Sequence, residues 1–171
     1  MTFTAIAPKT TLDETYRLNL QPLEMPERLL MGAGPSNADP RVIAAMDRHP
    51  IGHLDPEYLR LMDEVQKLLR YAWQTHNFMT YPVPGTGSAA MEATLANTVE
   101  PGDVVLVAVK GYFGKRLVDM AGRYGGDVRT IEAEWGSVFS LPELREAIAT
   151  HRPKILAMVH AETSTGVLQP M

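Results

Sequence analysis

Cysteine is absent from all 171 residues. That excludes a disulfide framework, a thiolate nucleophile, a zinc-cysteine site and an iron-sulfur cluster together. Long apolar runs are missing too. The longest, 104–109 and 155–159, fall far short of the ~20 residues a membrane-spanning helix requires, and they read instead as buried strands. Charge of one sign is not in excess either. There are 16 Lys and Arg against 20 Asp and Glu, a net charge of −4, and the basic residues are scattered, so neither nucleic acid nor a membrane is an expected partner. The first twenty residues mix Lys9, Asp13, Glu14 and Arg17 with threonines and do not resemble a secretory signal, which together with the missing cysteine points to a cytoplasmic location.

What is present, 45% hydrophobic and 21% charged residues, is the balance of a folded chain with one core. Residues 1–30 carry Pro8, Pro22 and Pro26 without periodicity and are expected to form an extended N-terminal arm. Asp39-Pro40 and Asp55-Pro56 each pair an N-cap with a proline at the first helical position, and the second pair opens a run of apolar residues from Tyr58 to Leu69 at helical spacing. Phe78 to Tyr81 reads as a short strand before the loop Pro84-Gly85-Thr86-Gly87, with a small-residue helix from Ser88 to about Thr98. Then come a strand Val104–Val109, a helix from about Phe113 to Tyr124 closed by Gly125-Gly126, a strand near Val128–Ile131, a helix opened by a capping box at Ser140 and Glu143, and a strand Ile155–Val159. Helices alternate with continuously apolar strands, so the expected class is α/β, a mostly parallel sheet with helices on both faces.

Two places could carry chemistry. Gly85-Thr86-Gly87-Ser88 opens a helix, where free amides and the helix dipole favour an anion such as a phosphate; an ordinary tight turn is the competing reading. The stretch also fits a dinucleotide fingerprint, but Pro82 and Pro84 interrupt the strand that should lead into it, and the next strand ends in Lys110 rather than an acidic residue. His160 to Gly166 crowds polar groups at the carboxyl end of an apolar strand, where open α/β sheets bind ligands; a solvated turn is equally open. His49 and His53 stand four apart, but Pro50 and Gly52 break the helix that would make them a metal pair, so no metal is expected.

Five segments together resemble the class-V, fold-type I pyridoxal-phosphate aminotransferases, in particular the alanine:glyoxylate and serine:pyruvate group. They are Met31–Asn37, Pro84–Glu92, Glu100–Asp103, Gly111–Gly114 and His160–Pro170. The resemblance spans about residues 28–171 in unbroken order. It implies pyridoxal 5'-phosphate as cofactor, with Thr86, Gly87 and Ser88 holding the phosphate, Phe113 stacking on the pyridine ring and Thr163 near the phenolic oxygen. It also implies that Gly32, Ala33 and Gly34 border the substrate, with Ala33 standing where proline is commoner.

By the same resemblance residues 31–171 are the N-terminal portion of the cofactor-binding large domain, an incomplete domain whose remainder is missing. The substrates implied are a small amino acid and a 2-oxo acid, and the assembly a homodimer of complete subunits. The Schiff-base lysine, the aspartate facing the pyridine nitrogen and the arginine for the substrate carboxylate match no position here. Lys9, Lys67, Lys110, Lys115 and Lys154 fill none of these roles, so no catalytic residue is assigned and the chain alone is expected to be inactive. Two alternatives remain at this point, a non-catalytic subunit that pairs with another chain and a nucleotide-binding α/β module.

Overall fold

A computed structural model describes residues 22–170. Most of the expected N-terminal arm, positions 1–21, lies outside the described residues, and positions 22–30 carry neither helix nor strand. They are tied to the next loop by Asn37, whose side chain accepts from Leu30 N–H at 2.8 Å and donates to Arg28 C=O at 2.9 Å.

Both Asp-Pro signals start helices. Asp39 caps α1 (Pro40–Met46) and Asp55 caps α2 (Pro56–Trp73), each side chain accepting an amide of the first turn. The expected strand at Phe78–Tyr81 does not form. Its backbone is used locally and by α2: Thr80 N–H bonds Phe78 C=O at 3.0 Å, Thr80 Oγ1 bonds Asn77 C=O at 2.7 Å, and Arg70 reaches Phe78 C=O at 2.9 Å. With no neighbouring strand the segment runs as loop into α3 (Gly87–Ala96), capped by Thr86.

The sheet is built from β1 (Val104–Val109), β2 (Asp127–Glu132) and β3 (Ile155–Met158), all parallel in the order β2-β1-β3. The helices between them are α4 (Tyr112–Arg123) and α5 (Leu141–His151). The central strand is apolar throughout because both of its faces are covered. Val105, Val107 and Val109 pack with Leu95, Leu117 and Ala121 on the α3/α4 side, while Ala108 packs with Phe139 and Leu144 on the α5 side.

The ends of the helices follow their sequence signals. Gly125 takes φ +79° just past α4, a left-handed conformation that favours glycine, and Ser140 and Glu143 form the capping box of α5. At the amino edge of the sheet Lys154 Nζ bonds Asp103 at 2.6 Å and Glu100 at 3.4 Å, joining the starts of β1 and β3. After β3 the chain folds back through a short antiparallel pair, β4 (Ala161–Glu162) and β5 (Val167–Leu168), which the sequence reading did not contain.

Candidate cofactor site

The carboxyl ends of β1 and β3 face the start of α3, the location where ligands bind in open α/β sheets. Thr86 turns the loop into α3, and its Oγ1 accepts the Ala89 amide at 3.2 Å. The first two helical amides, Gly87 and Ser88, have no protein acceptor among the described residues, and no acidic side chain stands in the first turn of α3. A Cβ built on Gly87 would meet nothing within 4 Å, so ligand atoms can approach this backbone closely.

Beside it, the start of α4 is arranged in the opposite way. Gly111 offers no side-chain cap. In its place the carboxylate of Glu162, from β4, accepts the amides of Phe113 at 3.4 Å and Gly114 at 3.2 Å. Ser164 completes the arrangement: its Oγ donates to Glu162 at 2.5 Å and accepts Tyr112 N–H at 3.0 Å. Glu162 is fully buried. Its charge is balanced by the positive end of the helix, so this acid is a structural cap and the anion-binding potential of α4 is already used. The start of α3 is the one left open.

A cavity of about 860 Å³ begins at this open end and runs along β3. It brings together all five residues expected to bind cofactor: Thr86, Gly87 and Ser88 from the loop and α3, Phe113 from α4, and Thr163 after β4. The loop of Gly32, Ala33 and Gly34 is exposed and lines none of it. Among the described residues no group of three or more His, Asp and Glu side chains is placed to hold a metal.

Arg116 also lines this cavity, and the sequence reading missed it. Its guanidinium donates to Ser88 Oγ and lies over the Phe113 ring at 5.0 Å and the Tyr112 ring at 5.1 Å from the centroids. The signal available was its spacing, three residues after Phe113 and four after Tyr112, which stacks the side chains on one helix face.

Neither Asp103 nor Lys110, at the two ends of β1, supports a dinucleotide site. Asp103 is bonded to Lys154 at the amino edge of the sheet. Lys110 is buried, 1% exposed, and its Nζ has no hydrogen-bond partner among the described residues; burial lowers its pKa below the ordinary lysine range, opposed by the charge of Glu162. Neither presents an acidic group to a ribose.

An open α/β sheet with an uncompensated helix start and an aromatic ring at its carboxyl edge has the layout of a ligand-binding α/β protein. More particularly, the chain belongs to the class-V aminotransferase family, whose pattern matches residues 28–171. It is 43% identical over 152 residues to the alanine–glyoxylate aminotransferase of Felis catus, covering 89% of this chain and 37% of that protein.

Two solved structures superpose well. The alanine–glyoxylate aminotransferase of a Nostoc species is 67% identical, with a TM-score of 0.87 over 94% of this chain and 43% of that one. The ureidoglycine–glyoxylate aminotransferase of Bacillus subtilis is 43% identical, with a TM-score of 0.83 over 88% and 39%. The chain therefore spans less than half the length of the relatives it matches, and corresponds to their N-terminal part.

Proposed function

We propose that this chain is the N-terminal, cofactor-holding part of a pyridoxal-phosphate aminotransferase. The enzyme would move an amino group from a small amino acid, alanine or serine, to glyoxylate or a similar 2-oxo acid. The observation that carries the reading is the convergence of Thr86, Gly87, Ser88, Phe113 and Thr163 on one cavity whose helix start has amides without acceptors. The substrate class rests on relatives named for alanine–glyoxylate and ureidoglycine–glyoxylate transfer.

Pyridoxal phosphate, when bound, supplies the electron sink that lets an amino acid's α-proton leave. The residues of this chain place and hold it. Gly87 and Ser88 donate amides to the phosphate at the positive end of α3, Phe113 covers one face of the ring, and the Thr163 hydroxyl serves the phenolic oxygen. By the family resemblance alone, Gly32, Ala33 and Gly34 border the substrate from outside the cavity, which they do not line. Residues 31–171 belong to the cofactor-binding large domain, with residues 1–30 as its arm.

The functional unit in this reading is a cytoplasmic homodimer of complete subunits. Leu68, Tyr71 and Trp73 on the C-terminal half of α2 are 66%, 84% and 76% exposed, an apolar surface of the kind that subunit contact covers.

The test is conversion of glyoxylate to glycine with alanine as donor by the purified complete enzyme that contains this chain, stripped of pyridoxal phosphate and then resupplied. Turnover that returns with the cofactor is expected. Tight nucleotide binding in place of pyridoxal phosphate would refute the reading. A polypeptide of these 171 residues alone is expected to show no turnover above free cofactor, since among the described residues the one lysine lining the cavity, Lys154, sits at its far end and is held by Asp103 and Glu100.

A further inference from the structure

The guanidinium of Arg116 is bound to Ser88 by a hydrogen bond whose direction is not in doubt. Guanidinium has donors and no acceptor, whereas a serine hydroxyl both donates and accepts. Arg116 must therefore occupy a lone pair of Ser88 Oγ, and the hydroxyl proton of Ser88 remains free to be given elsewhere. Serine at a helix start otherwise turns its hydroxyl onto the backbone, as Thr86 does two residues earlier.

Arg116 is itself held firmly. It is half-buried, lies over two aromatic rings and has Tyr112 Oη at 3.4 Å. Among the described residues it forms no ion pair. A positive charge with no carboxylate partner thus stands beside the two free amides of α3, where its field adds to that of the helix dipole.

We infer that Arg116 is a positioning residue that fixes the Ser88 hydroxyl as a donor to the cofactor's phosphate, so that the site selects the phosphorylated cofactor over pyridoxal. The inference rests on the pyridoxal-phosphate reading above and deepens it. Arg116 acts through Ser88 and the electrostatics of the cup, while its packing on Phe113 keeps the stacking ring and the phosphate cup in register.

The experiment compares dissociation constants for pyridoxal phosphate and pyridoxal in the purified apoprotein, unsubstituted and as Arg116→Gln, Arg116→Lys, Ser88→Ala and the Arg116→Gln/Ser88→Ala double variant. Circular dichroism and thermal unfolding follow each. Arg116→Gln should weaken pyridoxal phosphate on the order of tenfold or more, the scale of one charge-assisted hydrogen bond, and leave pyridoxal within about threefold. Arg116→Lys, which keeps charge and one donor, should recover part of the loss. In the Ser88→Ala background the effect of Arg116→Gln should shrink, because the two residues act as one unit.

Equal weakening of both ligands, no weakening of either, or a selective loss undiminished by Ser88→Ala would overturn the inference while leaving the cofactor reading intact. An unsubstituted protein that binds pyridoxal phosphate no better than pyridoxal would overturn the cofactor reading and the inference with it.

Discussion

The carboxylate of Glu162 accepts the backbone amide of Gly114 at 3.2 Å, across 48 residues of sequence. A short strand after β3 thereby caps the helix that follows β1, and the cap ties Phe113 to the turn that carries Thr163.

Glu162→Gln should accordingly destabilise the fold. The substitution removes the negative charge from the helix start and brings an amide donor toward N–H groups that need an acceptor, a loss of about 1–3 kcal/mol. Urea unfolding measures it, and a stability within experimental error of the unsubstituted protein would contradict the capping role.

Two glycines of the same region should respond in opposite directions. A Cβ on Gly111 would collide with Cγ and Cδ of Glu162 and come within 2.8 Å of Ser164 Oγ, whereas one on Gly122 meets nothing within 4 Å. Gly111→Ala is expected to lower the melting temperature by displacing the cap. Gly122→Ala, exposed in the last turn of α4, is expected to raise stability by about 0.5–1 kcal/mol through helix propensity. Thermal unfolding of the pair would contradict this packing if both changes had the same sign.

Stability should fall on acidification through Asp103. Its bond from Lys154, with a second from the Glu100 amide, holds its pKa below the ordinary aspartate value, and burial opposes this weakly. Since the folded value lies below the unfolded one, the stabilisation is complete above the unfolded pKa of about 3.9 and is lost as pH falls through the folded value. Lys154 gives the mirror image: its pKa is raised by Asp103, so its contribution is present below about 10.4 and disappears as pH rises past the folded value. Asp103→Asn should flatten the acid limb of stability against pH. An unchanged slope in unfolding experiments below pH 4 would show that another carboxylate dominates.

Gly87→Val should weaken pyridoxal phosphate binding more than Phe113→Leu. The new side chain would enter space free of protein atoms, so the fold bears no clash while the approach to the amides is obstructed. Phe113→Leu removes ring stacking of about 0.5–1.5 kcal/mol beyond burial. Equilibrium titration of both variants decides it, and equal or reversed losses would count against the phosphate cup.

The sequence by itself determined the local structure and the motifs. Asp39, Asp55 and Ser140 announced helix starts because a capping side chain and its amide lie within a few residues of one another, and the unbroken apolar run 104–109 announced a strand covered on both faces. The helix start at Thr86 was legible for the same local reason, and the roles proposed for Phe113 and Thr163 come from the family resemblance.

Long-range pairing was decided by tertiary structure alone. Phe78–Tyr81 has strand-like residues, yet a strand requires a neighbour to take its backbone bonds, and those bonds go to Arg70 and the local turn instead. Glu162 looked like part of a ligand-binding turn until the fold set it against the amides of α4, and Arg116, which the sequence did not single out, meets Ser88 only because α4 packs beside α3. Periodicity reports which face of an element is apolar. It does not report which distant element will meet that face, and it is that meeting which gives Glu162 to the fold and leaves the start of α3 open to a ligand.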